Sequence, residues 1–522
     1  MNNNTRVLVE LNYKFSNKFY GPIILLSALN DACIHSRPVK SPDLPLDGEQ
    51  SPERAFHDFV NKLSQLCDIE RGGRTVTSLV VLQEFDHIEY RFTSNDRTAE
   101  ELNHAQKFIT SMLNALNKGT NDNVQAFTSR ILRKSLCFAR PRVEPYVKAL
   151  NKEVTSCINA IRRENTDEAR SILRELEELQ GKLLLSHGPE LTDDNFTQSC
   201  ESLMKHIDHI HKSEVEVSIR NRAKEGRMNQ SECWSELRHV AGRLLSYLRA
   251  AKTLVSTRKQ WPELFENFEV YHIASSIPGQ YIFKGKHSPD KMTADRIIGC
   301  MTSDAKKMQE YRSHAQELQK FELDKAIRNK TNRQKFHPIV HAEVLLLDWL
   351  ERNGGTRATR FFNGFRYIGC SKPTCRLCEY YFSVHTSGVE VRSPHRNLYY
   401  NWRMPDVYED QGLQVIEDRK KLMNKILEFV RKDAFRVLVE KVPEGKRHDS
   451  NTDPTYQLCS ISVGRTEDLE HLEADLKSFE VDCSDSEAVF EVIEPASFEK
   501  GKDSTPESND SDDNNDDGGV GL

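Results

Sequence analysis

The chain lacks the features that carry a protein out of the cell or into a bilayer. Its opening stretch, Met1-Asn-Asn-Asn-Thr-Arg-Val-Leu-Val-Glu, has no basic start followed by an apolar run, so no secretory signal is expected. The apolar segment from Pro22 to Leu29 is far too short to span a membrane. The expectation is an intracellular protein, cytoplasmic or nuclear, with no membrane partner. Repeats of fixed period are not visible. Apolar residues are scarce at 37%, while charged ones reach 29%; that balance favours long helices with solvated faces and some disorder over one large core. A net charge of -6 supplies no general pull toward nucleic acid, so any such binding needs a local basic surface. Of the 12 cysteines only Cys370, Cys375 and Cys378 cluster. In a reducing compartment that cluster reads as metal before disulfide.

What is present divides the 522 residues into several regions. After an N-terminal segment, 1–54, residues 55–96 read as a compact α/β piece. Phe56, Phe59, Val60, Leu63 and Leu66 fall at helical spacing, and Thr75–Leu82 is a β-branched, apolar strand. A second strand alternates Ile88, Tyr90 and Phe92 with Glu89, Arg91 and Thr93. Residues 97–264 turn helical, with amphipathic stripes such as Ile172, Leu173, Leu176, Leu179 and Leu183, and read as a helical region or insertion. Residues 265–442 hold the motif described below and a following helix. An acidic segment, 443–499, leads into a tail, 500–522, whose Asp, Asn and Ser cannot bury a core and which is expected to be disordered.

The chemistry concentrates in His341-Ala-Glu343 and in Cys370-Ser-Lys-Pro-Thr-Cys375-Arg-Leu-Cys378. A histidine with a C-x-x-C pair, His341, Cys375 and Cys378, makes three zinc ligands, which leaves a fourth tetrahedral position for water, as in catalytic sites. His341 opens a helix that Asn353-Gly-Gly closes, and the two thiolates sit at the start of a second helix, Arg376–Val384. Helix N-termini favour anions, so thiolates and a hydroxide on the metal are both stabilised there. Glu343 is placed to shuttle a proton from that water to a leaving nitrogen. Cys370 is an extra thiol nearby; as a fourth ligand it would close the site and make the zinc structural, whereas an open site gives Glu343 a purpose.

His341-Ala-Glu343, an intervening strand and Pro373-x-Cys375-x-x-Cys378 resemble the cytidine-deaminase-like superfamily of zinc deaminases. The wording from Ile368 to Cys378, with Tyr400-Asn-Trp-Arg-Met-Pro405, is similar to a largely fungal branch of predicted nucleic-acid or nucleotide deaminases. The match covers Phe336 to Pro405. In one departure, Thr374 intervenes between the proline and the first cysteine. The resemblance implies an α/β protein with a three-layer α/β/α domain, a zinc ion, and hydrolytic deamination of a nucleobase in a nucleoside, nucleotide or nucleic acid. It also implies an asparagine near the sugar, for which Asn95 is the candidate if the 75–94 hairpin belongs to the same sheet. Phe336, Trp402 and Tyr399 are candidate faces for the base and His337 a candidate substrate contact; each also reads as core or surface. Arg357, Arg360, Arg366, Lys372 and Arg376 suit a phosphate-bearing substrate or a solvated face. The alternative is a non-catalytic interaction protein that uses zinc as a staple.

Overall fold

The computed structural model describes residues 6–34, 51–119, 123–184, 192–225 and 228–444; the tail expected to be disordered lies outside the described residues. Strand β1 (Thr77–Gln83) carries an apolar run at residues 79–82 and is buried on both faces up to its last residue. It pairs antiparallel with β2 (Ile88–Ser94), Leu79 opposite Phe92 and Val81 opposite Tyr90. On its other side β1 pairs antiparallel with β4 (Tyr367–Cys370), the strand that leads into the cysteine loop. Strand β3 (Phe268–His272) runs parallel to β2, and β5 (Glu390–Val391) parallel to β4. The sheet order is β3-β2-β1-β4-β5.

Sixteen α-helices surround this sheet among the described residues. Before and after the first hairpin lie α1 (Tyr13–Ala32), α2 (Pro52–Cys67) and α3 (Ala99–Asn117). The helical region continues with α4 (Val124–Phe138), α5 (Arg140–Ile161), α6 (Asp167–Leu184), α7 (Asp193–Lys212), α8 (Glu214–Glu225), α9 (Met228–Gln260) and the single turn α10 (Glu263–Glu266). Downstream of β3 come α11 (Ala294–Ile298), α12 (Ala305–Glu317), α13 (Leu323–Lys330), α14 (Ala342–Arg352), α15 (Arg376–Val384) and α16 (Leu413–Glu440).

Alternation along β1 separates two cores. Leu79 and Val81 face α2 and the helical region, with Phe56, Phe59, Val60, Tyr90 and Phe92. Val80 and Leu82 face α1, α14, α15 and α16, with Leu346, Leu347, Ile368 and Leu377. Helices on both sides of one mixed sheet make the α/β/α layers. Everything from Asn95 to Asn267 is one crossover between the parallel neighbours β2 and β3, a connection that parallel pairing requires to be long.

Two local features hold the centre. Gly369 lies where α2 presses on β4: a Cβ there would stand 2.6 Å from Val60 Cγ1, so only glycine fits. Asn61 of α2 caps the same place, its Oδ1 accepting from the Cys370 N–H at 3.0 Å. The sequence reading has no helix before residue 55, yet α1 is a buried one. Phe19 through Leu29 are covered on nearly every side, so no amphipathic stripe marks it.

Candidate active site

Both helices that carry the motif begin at a candidate ligand. His341 is the N-cap of α14 and Cys375 the N-cap of α15, and neither makes a side-chain capping bond. Their side chains turn toward each other instead. The Sγ atoms of Cys375 and Cys378 each stand 3.4 Å from His341 Nδ1, and all three ligand atoms lie within 4.8 Å of one another. Zinc bonds of about 2.3 Å to sulfur and about 2.0 Å to nitrogen require donor separations of roughly this size. The donor set, a neutral imidazole and two soft sulfurs, suits zinc. All three residues are buried.

Glu343, one position inside α14, is 4% exposed and lies beside the Cys378 thiol. Burial pushes its carboxyl above the ordinary carboxylate value, with His341 opposing. Burial also works against the Cys375 thiolate, yet the Cys378 hydrogen bond and His341 hold that group well below the usual thiol value. Cys370 stands outside the triad. It is 2% exposed, and burial, with the nearby Glu343 carboxylate adding to it, pushes its thiol up to about 12.

A family model described as an OTT_1508_deam-like deaminase matches residues 340–406. No curated protein and no solved structure matches the chain. The match spans His341, Glu343 and both cysteines, so family and geometry point to the same residues. Together they suggest a zinc deaminase site.

The other sequence candidates are distributed differently. Asn95, at the end of β2, is buried against α14: its Oδ1 accepts from the Ala342 N–H at 2.8 Å, and its Nδ2 donates to the Gly73 carbonyl at 2.9 Å. It therefore positions the residue between His341 and Glu343. Phe336 is 1% exposed, edge-on to Tyr20 and Phe283, and Trp402 is fully buried, so both rings are taken up in packing. The Trp402 indole N–H donates to Cys378 Sγ at 3.2 Å. His337 is exposed, its backbone N–H held by Asn401 Oδ1 at 2.9 Å. Tyr399 is 37% exposed with its ring centroid 6.4 Å from that of His341, and the edge of His395 meets it at 5.7 Å.

Of the basic residues near the motif, Arg376 is wholly buried, paired with Asp433 at 3.3 Å and Glu444 at 3.1 Å. Lys372 donates to the Gly72 carbonyl at 2.8 Å, and Arg360 to the carbonyls of Leu350 and Gly355. These three brace the site. The intervening Thr374 is buried, its Oγ1 donating to the Arg392 carbonyl at 2.5 Å and its own carbonyl accepting from the His395 N–H at 3.0 Å. It stitches the cysteine loop to residues 392–395.

Ser276, whose Oγ accepts from the Val340 N–H at 2.9 Å, is an isolated polar residue in a loop and carries no pattern in the sequence, while Asn401 is visible there only as part of the Tyr400–Pro405 motif. A second group, Glu175, Glu178 and His206, lies in the helical region. Glu178 is largely solvent-exposed and Lys182 approaches it at 3.5 Å, so the group reads as a surface ion-pair cluster.

Proposed function

We propose that the chain is a zinc-dependent hydrolytic deaminase acting on a nucleobase in a nucleoside, a nucleotide or a nucleic acid. The observation that carries this reading is Glu343, a carboxyl buried beside three metal-ligand side chains. A purely structural zinc site has no use for it. His341, Cys375 and Cys378 would hold the ion, and zinc when bound supplies the Lewis acidity that lets a water ionise near neutral pH.

The residues of the chain divide the remaining work. Glu343 takes a proton from the attacking water and delivers it to the departing nitrogen. A C–O bond forms at the amine-bearing carbon, its C–N bond breaks, and ammonia leaves. Burial of the carboxyl keeps bulk water from competing for that proton. Asn95 and Ser276 hold the backbone on either side of His341. Tyr399 is the partly exposed aromatic ring near His341, and we assign it the face against which the base lies.

The test is ammonia release from nucleosides, nucleotides and single-stranded RNA and DNA by zinc-loaded protein and by its Glu343→Ala variant. We expect release by the wild type that falls by about 100-fold or more in the variant. Equal release by both would remove Glu343 from the reaction. No release from the wild type across the panel, with stoichiometric zinc bound, would favour the structural-zinc reading.

A further inference from the structure

Trp402 is the largest of the fully buried side chains, and its one polar atom needs a partner. The partner is a sulfur. Its indole Nε1–H donates to Cys378 Sγ at 3.2 Å, while its ring packs 6.3 Å from that of Tyr381, three residues further along α15. The backbone around it is tied to the other limb of the triad. Trp402 bridges in parallel to Ile339, with the Ile339 N–H donating to the Asn401 carbonyl at 3.2 Å and the Arg403 N–H to the Ile339 carbonyl at 2.9 Å. Ile339 is two residues before His341. Arg403 anchors the same segment, reaching Asp406 and the Ile277 carbonyl, each at 2.7 Å.

We infer that Trp402 is a positioning residue of the metal centre: its side chain holds and tunes the Cys378 sulfur while its backbone fixes the approach to His341. This rests on the triad being a metal centre and is independent of which reaction the chain performs. The geometry has two consequences. A segment paired to the histidine limb and bonded to the cysteine limb keeps the ligands from α14 and α15 at a set separation. An N–H pointed at a thiolate also lowers the energy of the sulfur lone pairs, so less charge passes to the metal and its Lewis acidity rises. Packing alone would need the ring but not its N–H, which is what separates the two roles.

The experiment uses full-length protein loaded with cobalt(II), whose sulfur-to-metal charge-transfer band reports the lone-pair energy directly. In Trp402→Phe that band is expected to move to lower energy, and zinc affinity to fall by about 10–100-fold in chelator competition. A band at the wild-type position overturns the inference even if the protein is less stable, since lost packing leaves the sulfur electrons alone. Should Trp402→Phe fail to fold, benzothienylalanine at position 402 keeps the bicyclic shape and replaces only the N–H with sulfur. The same shift is expected there, and an unmoved band overturns the inference equally. Wild-type protein that takes up no cobalt would reject the metal centre itself, and this role with it.

Discussion

His341 and Cys375 each occupy a position where a helix usually places a serine or aspartate to satisfy its first N–H groups. The candidate ligands therefore leave the start of α14 in need of an outside acceptor, and Asn95 provides one from the end of β2. Its Oδ1 takes the Ala342 N–H at 2.8 Å. Asn95→Ala would leave that donor buried without its partner, at about 1–3 kcal/mol. We expect a lower denaturation midpoint and weaker zinc retention, because the freed turn contains His341. A variant with the stability and zinc affinity of the wild type would show that another group supplies the bond. On the other limb Thr374 donates to the Arg392 carbonyl and ties the cysteine loop to residues 392–395.

At the level of elements, α2 is the helix pressed most closely on the strand that delivers the cysteines. Gly369 admits it, and His57 lies flat on Tyr367, ring centroids 3.7 Å apart and planes 11° from parallel. His57 is 5% exposed, and burial lowers its pKa from 6.5 to about 4. The folded state therefore resists a proton that the unfolded chain accepts. The resulting stability is complete above pH 6.5 and is lost as pH falls from there through about 4. The full loss is roughly 3 kcal/mol, at about 1.4 kcal/mol per unit. His57→Phe keeps a flat ring against Tyr367 and removes this contribution. Denaturant midpoints between pH 7.5 and 4 should fall less steeply for the variant than for the wild type, and parallel curves would sink the argument. On the opposite side of the sheet, α16 grips α15 through Asp433, which pairs with Arg376 and accepts from Tyr380.

For the whole molecule, the decisive fact is that the sheet is discontinuous in sequence. Strands β1 and β2 come from residues 77–94, while β3, β4 and β5 come from beyond residue 267. The large helical region is the crossover between them, and its helices share a core with α2 and β1. A fragment of residues 265–442 contains the complete candidate triad but loses the inner strands β1 and β2. Val344, Leu346 and Leu347 of α14 would then lose Val80 and Leu82 as packing partners. We expect that fragment to be unfolded by circular dichroism and to bind no stoichiometric zinc. A folded, zinc-binding fragment would mean that the hairpin and crossover are accessory to the site.

The candidate site is written in short stretches of sequence. His341, Glu343, Cys375 and Cys378 are legible as candidates because metal binding and proton transfer need particular residue types at short spacings, and helix starts favour thiolates. The strands at 77–94 and the amphipathic helices were legible for the same local reason, their period. Contacts between distant residues leave no such local mark. Asn95 reaches across 247 positions to Ala342, and Trp402 turns its N–H to the Cys378 sulfur. Arg376, one residue after a candidate ligand, is wholly buried and paired with Asp433 and Glu444. The buried helix α1 shows no stripe because it is covered all round. Periodicity records which face of an element is dry, but it does not record which element covers it. That choice depends on the closure of a chain whose central strands lie more than two hundred residues from the site they support.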